Sequence, residues 1–465
     1  IREKKKKSIK MGKKTKSKTK LKKEKANNSI IVVNTEEHAQ QLIDQADIKM
    51  QLGDMESAIS IYDAVANMYK SILDDKGPLM RKRRKITLAK VHCSGGEACV
   101  TIGDIERGKT HFQEGIALLH DDFFFSPSLL PEEEEEIELL QEERHDVLAG
   151  LLFYLGQSTA DGKEALQCYQ DGIEQLKYSF DILIKQEEVM CSNPNNSIIF
   201  SPKEMIRETK NRLCAAYCSI AELYLTDLCF EPDAEQNCEA AVELALQLDN
   251  SSPEPLQIKA NLRLRQSNVE DATTFILKAY QELETGCTAL ASLVGYAVQN
   301  NDDDDDVIIA SELNSSQQDA ADRLPGFDFR IQTAKILLEC ADSLNEKITM
   351  EEEERHNGNQ CAEAAIQVLG SLMAVDDEVI EIWYLLGCAA MATSPSPNPE
   401  MAMYHWTKAT EMLNKVKLDL EEKLSEGRNE DTEEIQQEME MVKSKLEEIK
   451  SKQDDTQGLM SLEMT

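Results

Sequence analysis

The chain has 465 residues, 29% of them charged, with a formal net charge of −35. That length exceeds one compact core, and 41% hydrophobic content marks a folded rather than a disordered chain. An aromatic content of 5%, with only 20 Gly and 12 Pro, speaks against a β-sandwich, and no apolar run is long enough to cross a bilayer.

The charge is divided. Residues 1–25 carry 14 Lys/Arg and 2 Asp/Glu, a net of +12. The remaining 440 residues hold 37 basic and 84 acidic side chains, a net of −47. A body this acidic repels nucleic acid and attracts basic partners; simple solubility is the plainer account. Positive charge near the N-terminus has no apolar stretch behind it, which reads against a secretory signal. Twelve cysteines in such a chain point to a reducing compartment and to small buried hydrophobes.

Residues 1–30 are Lys-rich and have too little apolar surface to fold, so a disordered tail is expected. It is read equally as a nuclear address, an RNA contact or a solvated end. Met11 is a plausible alternative start, which would make Ile1–Lys10 non-native. From Thr35 the apolar spacing becomes helical. Leu42, Ala46, Ala58, Tyr62 and Val65 define a first helix pair, with Gly53-Asp54 as its turn. A second pair uses Gly96, Gly103-Asp104, Gly108, Phe112 and Gly115. The Arg81–Lys85 cluster before it is either a nuclear-import signal or a solvated helix face. Phe123–Phe125 reads as a hydrophobic plug, and Pro131 with Glu132–Glu136 as a helix start.

Further pairs follow around Ala165, Tyr169 and Gly172, then around Ala221, Tyr224, Cys238, Val242 and Ala245. The fifth uses Leu256, Ala260, Ala272, Ile276 and Ala279. The sixth uses Ala334, Leu337, Ala365, Leu369 and Leu372, with Met350–Asn359 as an acidic insert. Asn300–Asp306 reads as a loop; the ligand spacing and central Gly of a calcium loop are absent. The seventh pair is the clearest. Trp383, Leu386 and Gly387, then Ala402, Trp406 and Ala409, sit at the spacing of the two helices of a tetratricopeptide repeat. Gly387 is expected to face Ala402, with Trp383 and Trp406 filling the groove beside them, and residues 394–399 lengthen the turn. Residues 414–452 are helical and charged, as a solenoid end requires, and Gln453 onward is expected to fray.

The fold expected is therefore all-α: a tetratricopeptide-repeat superhelical solenoid of about seven helix pairs with a C-terminal capping helix. Its divisions are a tail over 1–30, the solenoid over 31–412, and an acidic helix with a frayed tail over 413–465.

No catalytic, cofactor or metal constellation stands out, so no enzyme is expected. His92 and Cys93 are adjacent and do not face each other on a helix. Cys214 and Cys218 share a helical face but lack the partners of a zinc set. Arrays of this kind bind extended segments along the first helix of each repeat. In this register those helices offer Asp44, Asp47, Glu222, Asp227, Glu339, Asp342, Glu381 and Tyr384 as client-binding residues. Ile43 and Asp47 stand where a clamp for acidic chaperone tails needs Lys and Asn, which reads against a heat-shock co-chaperone.

Three stretches carry a more specific likeness: Ala374–Gly387, the late acidic Glu433–Glu438, and Gly53–Ala58 behind the Lys-rich leader. Together they resemble the dedicated assembly chaperones of the fourth large-subunit ribosomal protein. The resemblance implies a basic ribosomal client whose internal loop is captured on an acidic concave surface. It further implies escort toward the assembling pre-60S particle, residence in cytoplasm and nucleus, and nuclear import factors as further partners. It implies no membrane and no nucleic acid beyond the basic tail. The alternative is a general scaffold or co-chaperone for other basic or heat-shock proteins.

Overall fold

The computed structural model describes residues 35–73, 78–120, 134–192, 202–295, 312–345, 352–393, 397–425 and 432–463. The expectations for the Lys-rich leader, Phe123–Phe125, Pro131 and Asn300–Asp306 lie outside these residues. Among the described residues every regular element is a helix. They form two compact units, residues 1–216 and 217–465, each considered by itself.

Unit 1 contains α1 (Thr35–Gln51), α2 (Met55–Ile72), α3 (Pro78–Thr101), α4 (Ile105–Leu119), α5 (Glu134–Ser158), α6 (Gly162–Ser192) and the start of α7 (Pro202–Leu225). Unit 2 takes the rest of α7, then α8 (Ala234–Leu248), α9 (Pro253–Arg265), α10 (Val269–Leu293), α11 (Ser315–Asp322), α12 (Phe327–Asn345), α13 (Glu352–Met373), α14 (Ile380–Ala392), α15 (Pro399–Ser425) and α16 (Thr432–Glu463). The fold is of the tetratricopeptide-repeat type: helix pairs α1–α2, α3–α4, α5–α6, α9–α10, α12–α13 and α14–α15 pack internally, and α2, α4, α10 and α13 also pack on the first helix of the following pair. Helices α7 and α8 occupy the fourth pair's place in the chain. The predicted register holds: Ala46, Ala58, Tyr62 and Val65 are buried in the first repeat, and Ala260, Ala272, Ile276 and Ala279 in the fifth.

The turns explain themselves locally. Gly53 and Gly103 adopt φ of +76° and +84°, a left-handed conformation costly for any residue with a Cβ. There Asp54 and Asp104 donate their amides to Lys49 O and Cys99 O, each at 2.9 Å. Their carboxylates then cap the next helix, accepting from Ser57 N and Arg107 N. The α9–α10 turn repeats this geometry with Ser267 at φ +58° and Asn268 as the cap.

Close approach decides the other glycines. A Cβ on Gly96 would lie 2.3 Å from the Phe112 ring, and one on Gly172 2.5 Å from Phe153. In the last repeat the sequence expectation needs correction. The space that Gly387 leaves open is filled by Trp406, whose indole would lie 2.2 Å from an added Cβ. Trp406 is held there because its Nε1 donates to Tyr384 O at 3.1 Å. Trp383 is only half-buried and points its indole N–H at Asp377 O, 2.7 Å away.

Three further expectations change. Residues 352–359, read as part of an acidic insert, are the opening turns of α13. Acidic residues suit a helix N-terminus because its free amides carry partial positive charge. Helix α16 continues through Glu463 rather than fraying at Gln453, with Thr456 buried on it. The Arg81–Lys85 cluster lies inside α3, where Lys82, Arg84 and Lys85 are buried. Arg84 joins helices: it donates to Ile72 O, the last carbonyl of α2, and its Nε meets Glu36 at 2.5 Å. Arg144 on α5 repeats the device, donating to Leu119 O at the end of α4 at 2.9 Å. Each places positive charge at a helix C-terminus, where partial negative charge collects.

Candidate functional site

The structure distributes the eight predicted residues over both units. In unit 1, Asp44 and Asp47 are exposed on α1. Asp44 accepts from Gln40 at 2.9 Å. Asp47 accepts from the hydroxyl of the buried Tyr62 at 2.5 Å. Burial, then the Asp47 carboxylate, push the Tyr62 hydroxyl well above its ordinary pKa, so it stays a donor. Asp47 is thus already committed to its own repeat.

In unit 2, Asp227 is exposed just past the end of α7. Glu222 has surface area in solvent, yet loss of water around its carboxyl raises its pKa. The missed residue here is Glu254, at the start of α9. Desolvation, followed by repulsion from Glu222, pushes it up to about 7. A cation near Glu254 would relieve that repulsion and favour its ionised form.

The other four predicted residues come together. Glu339 and Asp342 on α12 and Tyr384 on α14 line one groove of about 310 Å³, with Leu338, Leu385 and Cys388 as apolar lining. Glu381 stands one turn before Tyr384 and pairs with Lys335 at 2.8 Å. The opposite wall comes from α16, which the sequence had placed only as an end cap. Tyr384 donates its hydroxyl to Glu448, and the Lys445 ammonium lies 3.5 Å over its ring. Lys452 also lines the groove, 6.0 Å from the same ring. A ring face under an ammonium is a favourable cation–π contact. Burial first, then Glu448, hold the Tyr384 hydroxyl far above its usual pKa.

A second cavity, of about 240 Å³, lies in unit 1 between α2 and α4, over α3. His92 and His111 approach Nδ1 to Nδ1 at 3.2 Å. Glu114 lies 3.3 Å from His92 Nε2, and Asp63 lies 3.5 Å from His111 Nε2. Lys70 and Arg107 in turn pair with Glu114 and Asp63 at 2.8 and 2.6 Å. Burial holds His92 down to about 4 and lowers His111 as well. No sequence motif announced this cluster, because its members come from three helices. Burial pushes the thiol of Cys93, next to His92, up to about 12, which disfavours the thiolate. Among the described residues no set of three or more ligating side chains is placed to hold a metal, and no helix is long and apolar enough to cross a membrane.

A tetratricopeptide-repeat protein with acidic residues and Tyr384 at a groove on its first helices is the class that fold and site define. Comparison with known proteins narrows it. The chain is 29% identical over 234 residues to a probable assembly chaperone of rpl4 from Schizosaccharomyces pombe, covering 50% of this chain and 49% of that one. It is 23% identical over 364 residues to a probable assembly chaperone of rpl4 from Emericella nidulans, covering 78% and 67%. The matched region thus spans about half the length of the first relative. A solved structure of residues 1–338 of an assembly chaperone of RpL4 is 22% identical, with a TM-score of 0.47, covering 76% of this chain and 95% of that one. No protein-family profile matches. The resemblance to assembly chaperones of the fourth large-subunit ribosomal protein is therefore found again in comparisons that cover 50% and 78% of this chain.

Proposed function

We propose that this chain is a dedicated chaperone of ribosomal protein L4. It captures the basic internal loop of the newly made protein on its first-helix face and escorts it to the assembling large subunit. The observation that carries the reading is the similarity to two relatives named as assembly chaperones of rpl4. The chemistry of the face agrees. The body after residue 25 has a net charge of −47, and acidic side chains recur on the first helices α1, α12 and α14. Opposite charge steers a basic segment in and makes the encounter fast and salt-sensitive. Ordering a flexible loop costs about 2–5 kcal/mol, so an extended surface with several weak subsites is required. The work proposed is binding and shielding, not catalysis. Cytoplasm and nucleus are the compartments such an escort would visit, with import factors as its further partners.

A pulldown with the chain cut before Thr35 tests where the client is held. Capture of ribosomal protein L4 at the full-length level is expected. Loss of all capture would move the binding site to the Lys-rich leader and overturn the first-helix reading.

A further inference from the structure

The α12–α14–α16 groove contains more than acidic side chains. Its floor, Leu338 and Leu385, is apolar and matches a lysine's aliphatic stem. Its acidic wall, Glu339 and Asp342, matches the ammonium. Three of the chain's own lysines already sit at it: Lys335 lines it and pairs with Glu381 at 2.8 Å, Lys445 covers the Tyr384 ring, and Lys452 reaches into the lining from α16. Helix α16 is firmly seated, with Met439, Ile449 and Thr456 buried. Lys452 itself is only half-buried, so its side chain can leave while the helix stays.

We propose that this groove is a subsite for one lysine or arginine side chain of a basic polypeptide, and that Lys452 is its built-in competitor. Resting on the binding role proposed above, this adds a regulation that the role does not require. In the free protein Lys452 screens Glu339 and Asp342 and keeps isolated cations out. A basic segment engaged elsewhere along the face delivers its own side chain at high effective concentration and displaces Lys452. A stray cation has no such advantage. The self-ligand therefore discriminates extended basic chains from single charges.

The test uses the full chain and a fluorescent oligolysine peptide, followed by anisotropy at low salt. Lys452→Ala is expected to bind about fivefold tighter than wild type, the range of one partly exposed charge pair. Lys450→Ala removes the same charge from an exposed position on α16 and is expected to change affinity by less than about twofold. Adding Glu339→Gln to Lys452→Ala is expected to remove the gain. Equal effects of Lys452→Ala and Lys450→Ala, with wild-type binding intact, would overturn the competitor and leave the binding role standing. A wild-type chain that fails to bind the peptide would overturn both.

Discussion

The first repeat and the last repeats answer the same problem differently. In both, a predicted binding residue is already held by its own chain. Asp47 is held by Tyr62, a fully buried member of the first repeat's core. Tyr384 is held by Lys445 and Glu448, which stand on the surface of the capping helix. The first contact is part of the fold and cannot be given up without disturbing the core. The second is made by side chains that water and a partner can reach. Exposure of a carboxylate is therefore a poor guide to availability; what matters is where its present partner is anchored.

The largest expected effect, which the two units share and a single substitution can separate, is on stability at low pH. Burial depresses His92 in unit 1 and His405 in unit 2 to about 4 from an ordinary 6.5. Both groups fold as neutral rings, and the unfolded chain binds the extra proton. Their contribution is complete above pH 6.5 and is lost as pH falls toward 4, by about 3 kcal/mol per residue at pH 4. His92→Gln should flatten the acid limb of unit 1 and leave that of unit 2. Thermal melts between pH 7 and 4, read by Trp383 and Trp406 fluorescence for unit 2 and by hydrogen exchange for unit 1, check this. An unchanged acid limb in unit 1 would remove His92 from the account.

The next effect probes packing. Gly387→Ala would drive a Cβ to 2.2 Å from the buried Trp406 indole. The cost of overpacking outweighs the helix propensity that alanine returns, for a net loss of about 2 kcal/mol. Denaturant unfolding should show an earlier midpoint; an unchanged or later one would mean that Trp406 can move aside. The smallest effect sharpens the opening contrast. Tyr62→Phe removes the hydroxyl on Asp47 and should cost about 1 kcal/mol. It also frees a carboxylate on α1, so affinity for a basic peptide should rise by less than about twofold. Weaker binding would show that Asp47 needs its tyrosine to be presented at all.

How much was legible follows from how local each signal is. The Gly53-Asp54 and Gly103-Asp104 turns could be read directly, because a left-handed residue and an N-cap are written in adjacent letters. The same geometry at Ser267-Asn268 was silent, since serine does not advertise a positive φ. The short α11 was also missed, though Asn314 and Gln317 form a capping box and Gly286 on α10 admits its backbone. Helical spacing found Glu339, Asp342 and Tyr384 on the same kind of face. It could not find Lys452, whose position depends on α16 turning back onto α14 and α15. The His92–His111 cavity was hidden for the same reason. The basic run at Arg81–Lys85 misled because side chains that cap carbonyls and pair in the interior look, in sequence, like an exposed signal.

The central claim is that an acidic first-helix face captures one particular basic loop. Calorimetric titration of the full chain with the internal loop of ribosomal protein L4, at two salt concentrations, addresses it most directly. Tight, near-stoichiometric binding that weakens with salt, is weaker still in a Glu339→Gln, Asp342→Asn variant, and is markedly weaker for a scrambled loop of equal charge is the predicted result. Equal binding of the scrambled loop, or binding indifferent to salt and to those two substitutions, would contradict it.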